Sequence, residues 1–513
     1  MKLQLGRNTV ADEPTDTQSS QTAYSDKEVF PVVLKPVWQP FETETEEAVG
    51  RVLKDACWPA SGPKARKYRI VVSSFLKAVQ DVYLRQKYRK DDNKPLVHLG
   101  IRRRNDAWSP YPLVGKDIGI KIVDELLRQF DAEQVEGSGS SNLVQDEQDK
   151  WSSDPKMSMY VIDLSKASEF STLRFIETGL PRIKINKVES RRQRDARRAD
   201  KKAKPFLKNT ESQVLFGDLR SAAESRIERL NAFWCRHPLI LPNGHAAASA
   251  TRVYHDGRMD AGGRLYGAWT GLDKKTKRLY CTIDGEPICE IDIRASQPTL
   301  FSSLLGYRLG GLSKGDTWGD VYAELSSLWA VNTWWSELDP LIDKIDLIRR
   351  NRKVAKGVVV ALIGSGNSLK AKASEELANE HGLTQSGWLS FRDTLISTIP
   401  ALECLEPRYD NKGYLDGYMN GSGFLSYHES EIMMLTLETL MDQGIPAYPV
   451  HDCLMVKVSD VKRSAYVFRE TIQDYCKTMS SLDVLVPLSV ESKDDLMVQP
   501  LINEEELVGK YLN

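Results

Sequence analysis

The sequence lacks a long apolar segment, a dense cysteine framework and a strong net charge. No stretch of its 513 residues approaches the roughly 20 consecutive apolar residues of a membrane-spanning helix, so we expect no membrane partner. The seven cysteines form no CxxC pair and the seven histidines no HExxH motif, which argues against a disulfide scaffold and a zinc site. The N-terminus also lacks the apolar core of a secretion signal. These absences indicate a globular protein of the reducing cytoplasm.

The net charge of −1 conceals an uneven distribution of charged side chains. Residues 182–208 carry 12 basic and 3 acidic side chains, among them Arg191, Arg192 and Arg194. A basic run within an otherwise acidic chain indicates a polyanionic partner such as nucleic acid. A solvated linker would have the same composition, so the run alone does not decide between them.

Two aspartates stand at the ends of apolar, strand-like segments. Asp292 closes the second half of a predicted hairpin that turns at Asp284-Gly285. Asp452 lies between two short apolar runs, a pattern that predicts a second tight hairpin with an acid at its tip. Carboxylates projecting from a sheet edge can hold two Mg²⁺ ions, or Mn²⁺, for phosphoryl transfer. Aspartates also form turns for purely structural reasons, and either residue alone would fit that interpretation.

Basic side chains recur at helical spacing between the two aspartates. Arg349, Arg352, Lys353 and Lys356 follow an i, i+3, i+4, i+7 pattern, which predicts one cationic helix face. Such a face can bind a triphosphate, although a solvated helix surface has the same pattern. Arg264 follows a pair of glycines, which predicts a turn where the backbone approaches a ligand closely.

The order of these segments resembles that of the family A DNA polymerases, the DNA polymerase I type, with features of the related single-subunit RNA polymerases. The resemblance covers about residues 250–500 and rests on five short motifs. They are GGRLYG (262–267), similar to the TGR motif; EIDIRASQPTLF (290–301), similar to motif A; Arg352-x3-Lys356, similar to the start of motif B; VHDCLMV (450–456), similar to motif C; and VPLSVE (486–491), similar to the closing palm strand.

The resemblance implies a role for each residue at a motif position. Asp292 and Asp452 would be catalytic metal ligands, and Arg352 and Lys356 would bind the triphosphate, with Lys356 also protonating the departing pyrophosphate. Arg264 would contact the primer terminus and His451 would orient it. Primer–template nucleic acid, nucleoside triphosphates and two Mg²⁺ ions are therefore the implied partners and cofactors.

Three positions depart from the family pattern. Gly364 stands where motif B carries an aromatic ring for the incoming base, and Cys453 stands where motif C usually carries Glu. Gln297 takes the position five residues after the motif A aspartate, where the DNA polymerases have a bulky Glu that excludes a ribose 2′-hydroxyl and the RNA polymerases have Gly. A bulky Gln297 favours deoxynucleotides.

The resemblance implies an α+β fold, a right-hand polymerase core with an antiparallel palm sheet and an N-terminal accessory region. The expected divisions are a disordered tail (1–25), an accessory domain (26–150), a basic, thumb-like region (151–244), a first palm part (245–310), fingers (311–399) and a second palm part (400–513).

The implied function is template-directed DNA synthesis by a two-metal nucleotidyltransferase. Three alternatives stay open at this point: a single-subunit RNA polymerase or primase-like enzyme, a non-catalytic nucleic-acid-binding protein on a polymerase scaffold, and a phosphodiesterase that uses the same metal pair.

Overall fold

A computed structural model describes most of the chain. The described residues are 32–59, 61–87, 97–103, 108, 114–135, 143–145, 151–153, 157–187, 206–307, 322, 344–405, 407–409, 415–418, 421–482, 486, 488–493 and 499–501. The expected tail (1–25) and most of the first part of the expected fingers therefore lie outside the described residues.

The described residues form a mixed α+β structure with several sheets, as the sequence predicts. The helices are α1 (Thr43–Asp55), α2 (Gly62–Lys87), α3 (Lys116–Gln129), α4 (Leu164–Ser168), α5 (Asn209–Trp234), α6 (Ser296–Leu304), α7 (Lys344–Ser365), α8 (Glu375–His381), α9 (Gln385–Thr398), α10 (Gly421–Asp442) and α11 (Val461–Ser480). Short 3₁₀ turns lie at Arg278–Tyr280, Pro400–Cys404 and Val458–Asp460.

The strands are short, apart from the one that ends close to Asp292. They are β1 (Val32–Val33), β2 (Trp38–Pro40), β3 (Leu99–Arg102), β4 (Glu133–Gln134), β5 (Leu143–Gln145), β6 (Trp151–Ser153), β7 (Met157–Val161), β8 (Phe175–Glu177), β9 (Ile183–Ile185), β10 (Leu239–Ile240), β11 (Ala246–Ala247), β12 (Thr251–Tyr254), β13 (Gly262–Tyr266), β14 (Thr282–Ile283), β15 (Glu286–Ile293), β16 (Pro407–Tyr409), β17 (Leu415–Tyr418), β18 (Ala447–Val450), β19 (Cys453–Lys457), β20 (Leu488–Ser492) and β21 (Gln499–Leu501).

Two hydrophobic clusters divide the described residues. One contains buried side chains from Val32 to Phe175 and covers a four-stranded sheet in the order β1-β3-β7-β4. The other runs from Ile176 to Val490. Strand β7 pairs with β3 along four residues, so the division expected at residue 150 cuts across the first sheet. Cross-strand pairing joins segments that look like separate regions in the sequence.

Strand β15 lies at the centre of the second cluster. It pairs in antiparallel register with β19 on one side and β20 on the other. The hairpin from β14 into β15 turns at Asp284 and Gly285, whose φ angles are 51° and 81°. An Asp-Gly pair is favoured in such a turn because both residues adopt the left-handed region. The predicted hairpin is confirmed. Because the turn makes β15 antiparallel to β14, Asp292 lies near the end of β15 that is far from the turn.

The predicted second hairpin is also present. Strands β18 and β19 pair from Ala447 and Val456 to Val450 and Cys453, which leaves His451 and Asp452 as the turn. Helix α10 precedes this hairpin and ends before Gly444, whose φ of 73° suits a helix C-terminus. The VPLSVE segment (486–491) contributes to β20, and β21 pairs with β20 at the edge of the sheet.

No helix among the described residues combines the length and the apolar character needed to cross a bilayer.

A buried carboxyl group at the junction of the two clusters predicts a pH-dependent stability. Glu177 is 5 % exposed, and its Oε2 has no hydrogen-bond partner among the described residues. Burial raises the pKa of this carboxyl to about 7, although Lys35 partly offsets the rise. Below about pH 4.5 the group is protonated in both the folded and the unfolded chain. Between that pH and 7 only the unfolded chain ionises, so the folded state loses stability as the pH rises.

We therefore expect Glu177→Gln to stabilise the fold at pH 8 by on the order of 3 kcal/mol and to change little at pH 4. Urea unfolding at both pH values measures the difference. Glu169→Gln, at an exposed position, is the matched control and should show no such pH dependence. An equal effect of Glu177→Gln at both pH values would contradict the burial argument.

Candidate active site

One cavity of about 530 Å³ brings together side chains that seven separate segments of the sequence supply. Seven of the residues singled out from the sequence line it: Arg264, Asp292, Gln297, Arg352, Lys356, His451 and Asp452. The remaining three, Arg191, Arg192 and Arg194, lie outside the described residues, so their contact with nucleic acid stays a prediction.

The two aspartates meet because the end of β15 lies beside the β18–β19 turn. Asp292 is opposite Cys453 in the register of β15 and β19, and Asp452 is the residue immediately before Cys453. Directly opposed Cα atoms on antiparallel strands lie about 4.5–5.5 Å apart, so both carboxylates start from neighbouring backbone positions. On the other side of β15, Asp292 is opposite Ser489 of β20, which also lines the cavity.

The surroundings of Asp292 disfavour a negative charge on Asp292 while Asp452 is also negatively charged. Burial raises the pKa of its carboxyl to about 7, and the neighbouring Asp452 carboxylate contributes to the rise. Lys274 and Lys356 act in the opposite direction, but they do not cancel it. A cation between the carboxylates would relieve this repulsion, and carboxylate oxygens are the hard ligands that Mg²⁺ prefers.

The described residues contain no cluster of three or more His, Cys, Asp or Glu side chains arranged to hold a metal. Cys453, at the position where the family carries Glu, is buried. Burial raises the pKa of its thiol well above the ordinary value, so without a bound cation the thiol is protonated near neutral pH. Asp292 and Asp452 are the carboxylates that line this cavity together with Glu429, whose carboxylate is paired with Arg264.

A buried ion pair forms one wall of the cavity. Strand β13 carries Arg264, and α10 carries Glu429; the Arg264 guanidinium donates to the Glu429 carboxylate. Burial raises the pKa of Glu429 to about 7, an effect that Arg264 opposes and Asp452 reinforces. The glycine before Arg264 makes this contact possible, because a Cβ at Gly263 would lie 2.7 Å from the Ser430 hydroxyl of α10.

The cationic helix predicted from the sequence is α7. Arg352 and Lys356, one turn apart, face the cavity, whereas Lys353 does not line it. The predicted basic residues therefore do not all point in one direction. Lys353 follows Arg352 directly, and adjacent positions on a helix differ by about 100° in direction. The Arg352 guanidinium lies 6.0 Å from the centre of the Tyr322 ring, which also lines the cavity. Gly364 lies at the far end of the helix and does not line the cavity.

The turn that leads from β15 into α6 also lines the cavity, next to Asp292 in the sequence. Ala295 adopts a left-handed conformation with φ of 47° and serves as the N-cap of α6. Arg294, Ser296 and Gln297, on either side of it, line the cavity, and the Ser296 hydroxyl donates to the Asp452 carboxylate.

His451 occupies the first position of the hairpin turn with φ of 57°. Residues other than glycine are uncommon in this region, and the cost is roughly 1–2 kcal/mol. Its ring packs edge-on against Tyr266 at 5.8 Å. Burial lowers the pKa of the imidazole, and Arg264 adds to the effect, so at neutral pH the ring is uncharged and can donate or accept a hydrogen bond.

Sequence reasoning assigned no site role to five lining residues with polar or charged side chains: Arg294, Ser296, Tyr322, Glu429 and Ser489. Glu429 carried the clearest signal, because it is an acid within a strongly apolar helix, where an unpaired buried charge is costly. Arg294 and Ser296 lie within the motif that contains Asp292. Ser489 lies within the VPLSVE motif (486–491). Tyr322 had no local signal, since only tertiary packing brings it to the cavity.

Comparisons with known proteins add little to this geometry. No protein-family model matches the chain, and no curated protein matches it. Among solved structures, the POL domain of Pol1 from M. smegmatis, in complex with DNA primer-template and dNTP, matches with 14% identity and a TM-score of 0.30. The match covers 56% of this chain and 56% of that chain. A TM-score of this size does not assign a fold, so the functional argument depends on the site geometry.

Proposed function

We propose that the protein is a nucleotidyltransferase that extends a nucleic-acid 3′ end with nucleoside triphosphates, most simply a DNA polymerase. The observation that carries the proposal is the convergence of two aspartates, an Arg–Lys helix face, Arg264, Gln297 and His451 on one cavity. Paired carboxylates beside cations suit phosphoryl transfer, in which charge on phosphate oxygens must be neutralised while two oxygens stay in line.

The proposed reaction breaks one phosphoanhydride bond of the nucleoside triphosphate and forms one phosphodiester bond. The primer 3′-oxygen forms a bond to the α-phosphorus, the bond to the β-phosphate oxygen breaks, and pyrophosphate leaves. The hydroxyl proton passes to water. Arg352 and Lys356 bind the triphosphate, and Lys356 can donate a proton to the departing pyrophosphate. Arg264 and His451, which line the same cavity, hold the primer terminus.

Asp292 and Asp452 would hold the Mg²⁺ pair, for which Mn²⁺ could substitute. When bound, the metal pair neutralises the phosphate oxygens and stabilises the attacking and leaving oxygens. The raised pKa of Asp292, which burial and Asp452 cause, supports this assignment, because an uncompensated carboxylate pair favours cation binding.

In the proposed right-hand polymerase core, these residues belong to the palm and the fingers. The proposed palm comprises residues 245–310 and 400–513, whose antiparallel strands carry both aspartates. The proposed fingers (311–399) contain α7, and the proposed thumb-like region (151–244) contains α5 and the basic run. We expect residues 26–150 to form an accessory region, whose sheet extends into the start of the proposed thumb-like region because β3 pairs with β7.

Extension of a labelled primer on DNA and RNA templates, each with dNTPs and with NTPs in Mg²⁺, tests the proposal. Longer products are expected with dNTPs. Shortened primers would instead indicate a phosphodiesterase, and binding without any change in length would indicate a non-catalytic scaffold.

Gln297 predicts the sugar preference. Its side chain lines the cavity at the start of α6, where bulk excludes a 2′-hydroxyl. We expect Gln297→Gly to lower the ratio of kcat/KM for dNTPs to that for NTPs by about tenfold or more, because a steric clash is worth about 1–3 kcal/mol. Gln297→Met keeps the bulk and should keep the ratio. An unchanged ratio in the glycine variant would refute the steric argument.

A further inference from the structure

Ser296 contacts Asp452, one of the two aspartates, and the proposed function gives Ser296 no role. The Ser296 hydroxyl donates a hydrogen bond to Oδ2 of Asp452, 156 residues away in the sequence. Ser296 is 7% exposed, so water competes little for this bond. A charge-assisted hydrogen bond in such a setting is stronger than a neutral one.

Two tight turns bring this pair together. Ala295 has φ of 47° and His451 has φ of 57°, so both partners directly follow a residue in the left-handed region. Strain of this kind persists only where the surrounding structure imposes it. Helix α6 holds Ser296 in place, since its first turn is buried at Pro298 and Thr299.

The hydrogen bond opposes an electrostatic repulsion. Asp292 and Asp452 begin from adjacent positions across the β15–β19 pair, and each carboxylate disfavours the charged form of its neighbour. The hydrogen bond from Ser296 restrains the Asp452 carboxylate against this repulsion. The Ser296 hydroxyl occupies Oδ2 and leaves Oδ1 available, so Asp452 can present one oxygen to a cation before that cation arrives.

We infer that Ser296 is a positioning residue that preorganises Asp452 for divalent-cation binding. This inference rests on the proposed function, because it takes Asp292 and Asp452 as the metal pair. Partners that orient a metal ligand typically change metal affinity by about 10–100-fold. Ser296 does not itself contact substrate or the reacting atoms.

The test is direct Mn²⁺ binding to the full chain without nucleic acid, followed by the electron paramagnetic resonance signal of free Mn²⁺. We expect Ser296→Ala to raise the Kd for Mn²⁺ about tenfold and Ser296→Thr, which keeps the hydroxyl, to restore it in large part. Ser303→Ala is the matched control, since the Ser303 hydroxyl is also buried in α6 but bonds only to the Thr299 carbonyl oxygen. In primer-extension assays, the Mg²⁺ concentration that gives the half-maximal rate should rise in Ser296→Ala. The Kd for primer–template should stay constant in that variant.

The outcomes separate this inference from the proposed function. Wild-type Mn²⁺ affinity in Ser296→Ala, together with lost affinity in Asp452→Asn, would overturn the positioning role and leave the metal pair intact. An equal loss in Ser303→Ala and Ser296→Ala would show a structural effect of α6 and would also overturn it. A wild-type chain that takes up no Mn²⁺ would overturn both the metal pair and the role of Ser296, whereas extension activity measured separately decides the proposed function.

Discussion

Asp452→Asn is expected to reduce the rate of primer extension by more than about 100-fold, since removing a metal ligand should exceed the 10–100-fold effect of removing its orienting partner. The asparagine keeps the size of the side chain and can still accept the Ser296 hydrogen bond, so the turn between β18 and β19 should persist. It lacks the negative charge, and the charge is what holds a divalent cation. Single-turnover extension with saturating primer–template and Mg²⁺ measures the effect.

Asp474→Asn makes the same chemical change at an exposed position on α11, and it should extend primers at the wild-type rate. Circular dichroism and the Kd for primer–template should be unchanged in both variants. Extension by Asp452→Asn within a few-fold of wild type would remove Asp452 from the catalytic site. Asp292→Asn should show a loss of the same order, because in the proposed mechanism both carboxylates bind the same cation pair.

Lys356→Gln is expected to lower kcat/KM for the nucleoside triphosphate by about 10–150-fold, the equivalent of 1.5–3 kcal/mol for a hydrogen bond to a charged group. The Lys356 ammonium lines the cavity that contains both aspartates. Removing it withdraws one positive charge from the triphosphate and, in the proposed mechanism, the proton donor for pyrophosphate. Steady-state extension at varied nucleotide concentration separates the loss in KM from the loss in kcat.

Lys353→Gln is the control for this effect. Lys353 lies on the same helix and is exposed, but it does not line the cavity. It should change kcat/KM less than about twofold, since a single exposed charge outside the site contributes little. Equal losses in the two variants would mean that the net charge of α7, and not the position of Lys356, governs the reaction.

Local patterns predicted several elements correctly. The Asp284-Gly285 turn and the hairpin tip at His451 and Asp452 both depend on short-range backbone preferences. The cationic face of α7 was predicted only in part, because periodicity identifies a helix but not the direction in which its neighbours pack.

Local sequence patterns also identified only some of the side chains that line the cavity. Asp292, Asp452, Arg352 and Lys356 were recognisable in the sequence because each stands out from an apolar or periodic background. Glu429 was not recognised, since its significance depends on Arg264, 165 residues away. A charge buried inside a helix is interpretable only once its partner is known.

The sequence by itself determined which segments form hairpins and helices and which residue types they carry, because those choices depend on contacts between residues close together in the chain. Only the tertiary structure decided that β15 pairs with both β19 and β20, and that Ser296 and Glu429 lie beside the aspartates. The physical reason is that these contacts join residues more than 100 positions apart. Their formation depends on the packing of the whole hydrophobic cluster, which no single segment specifies.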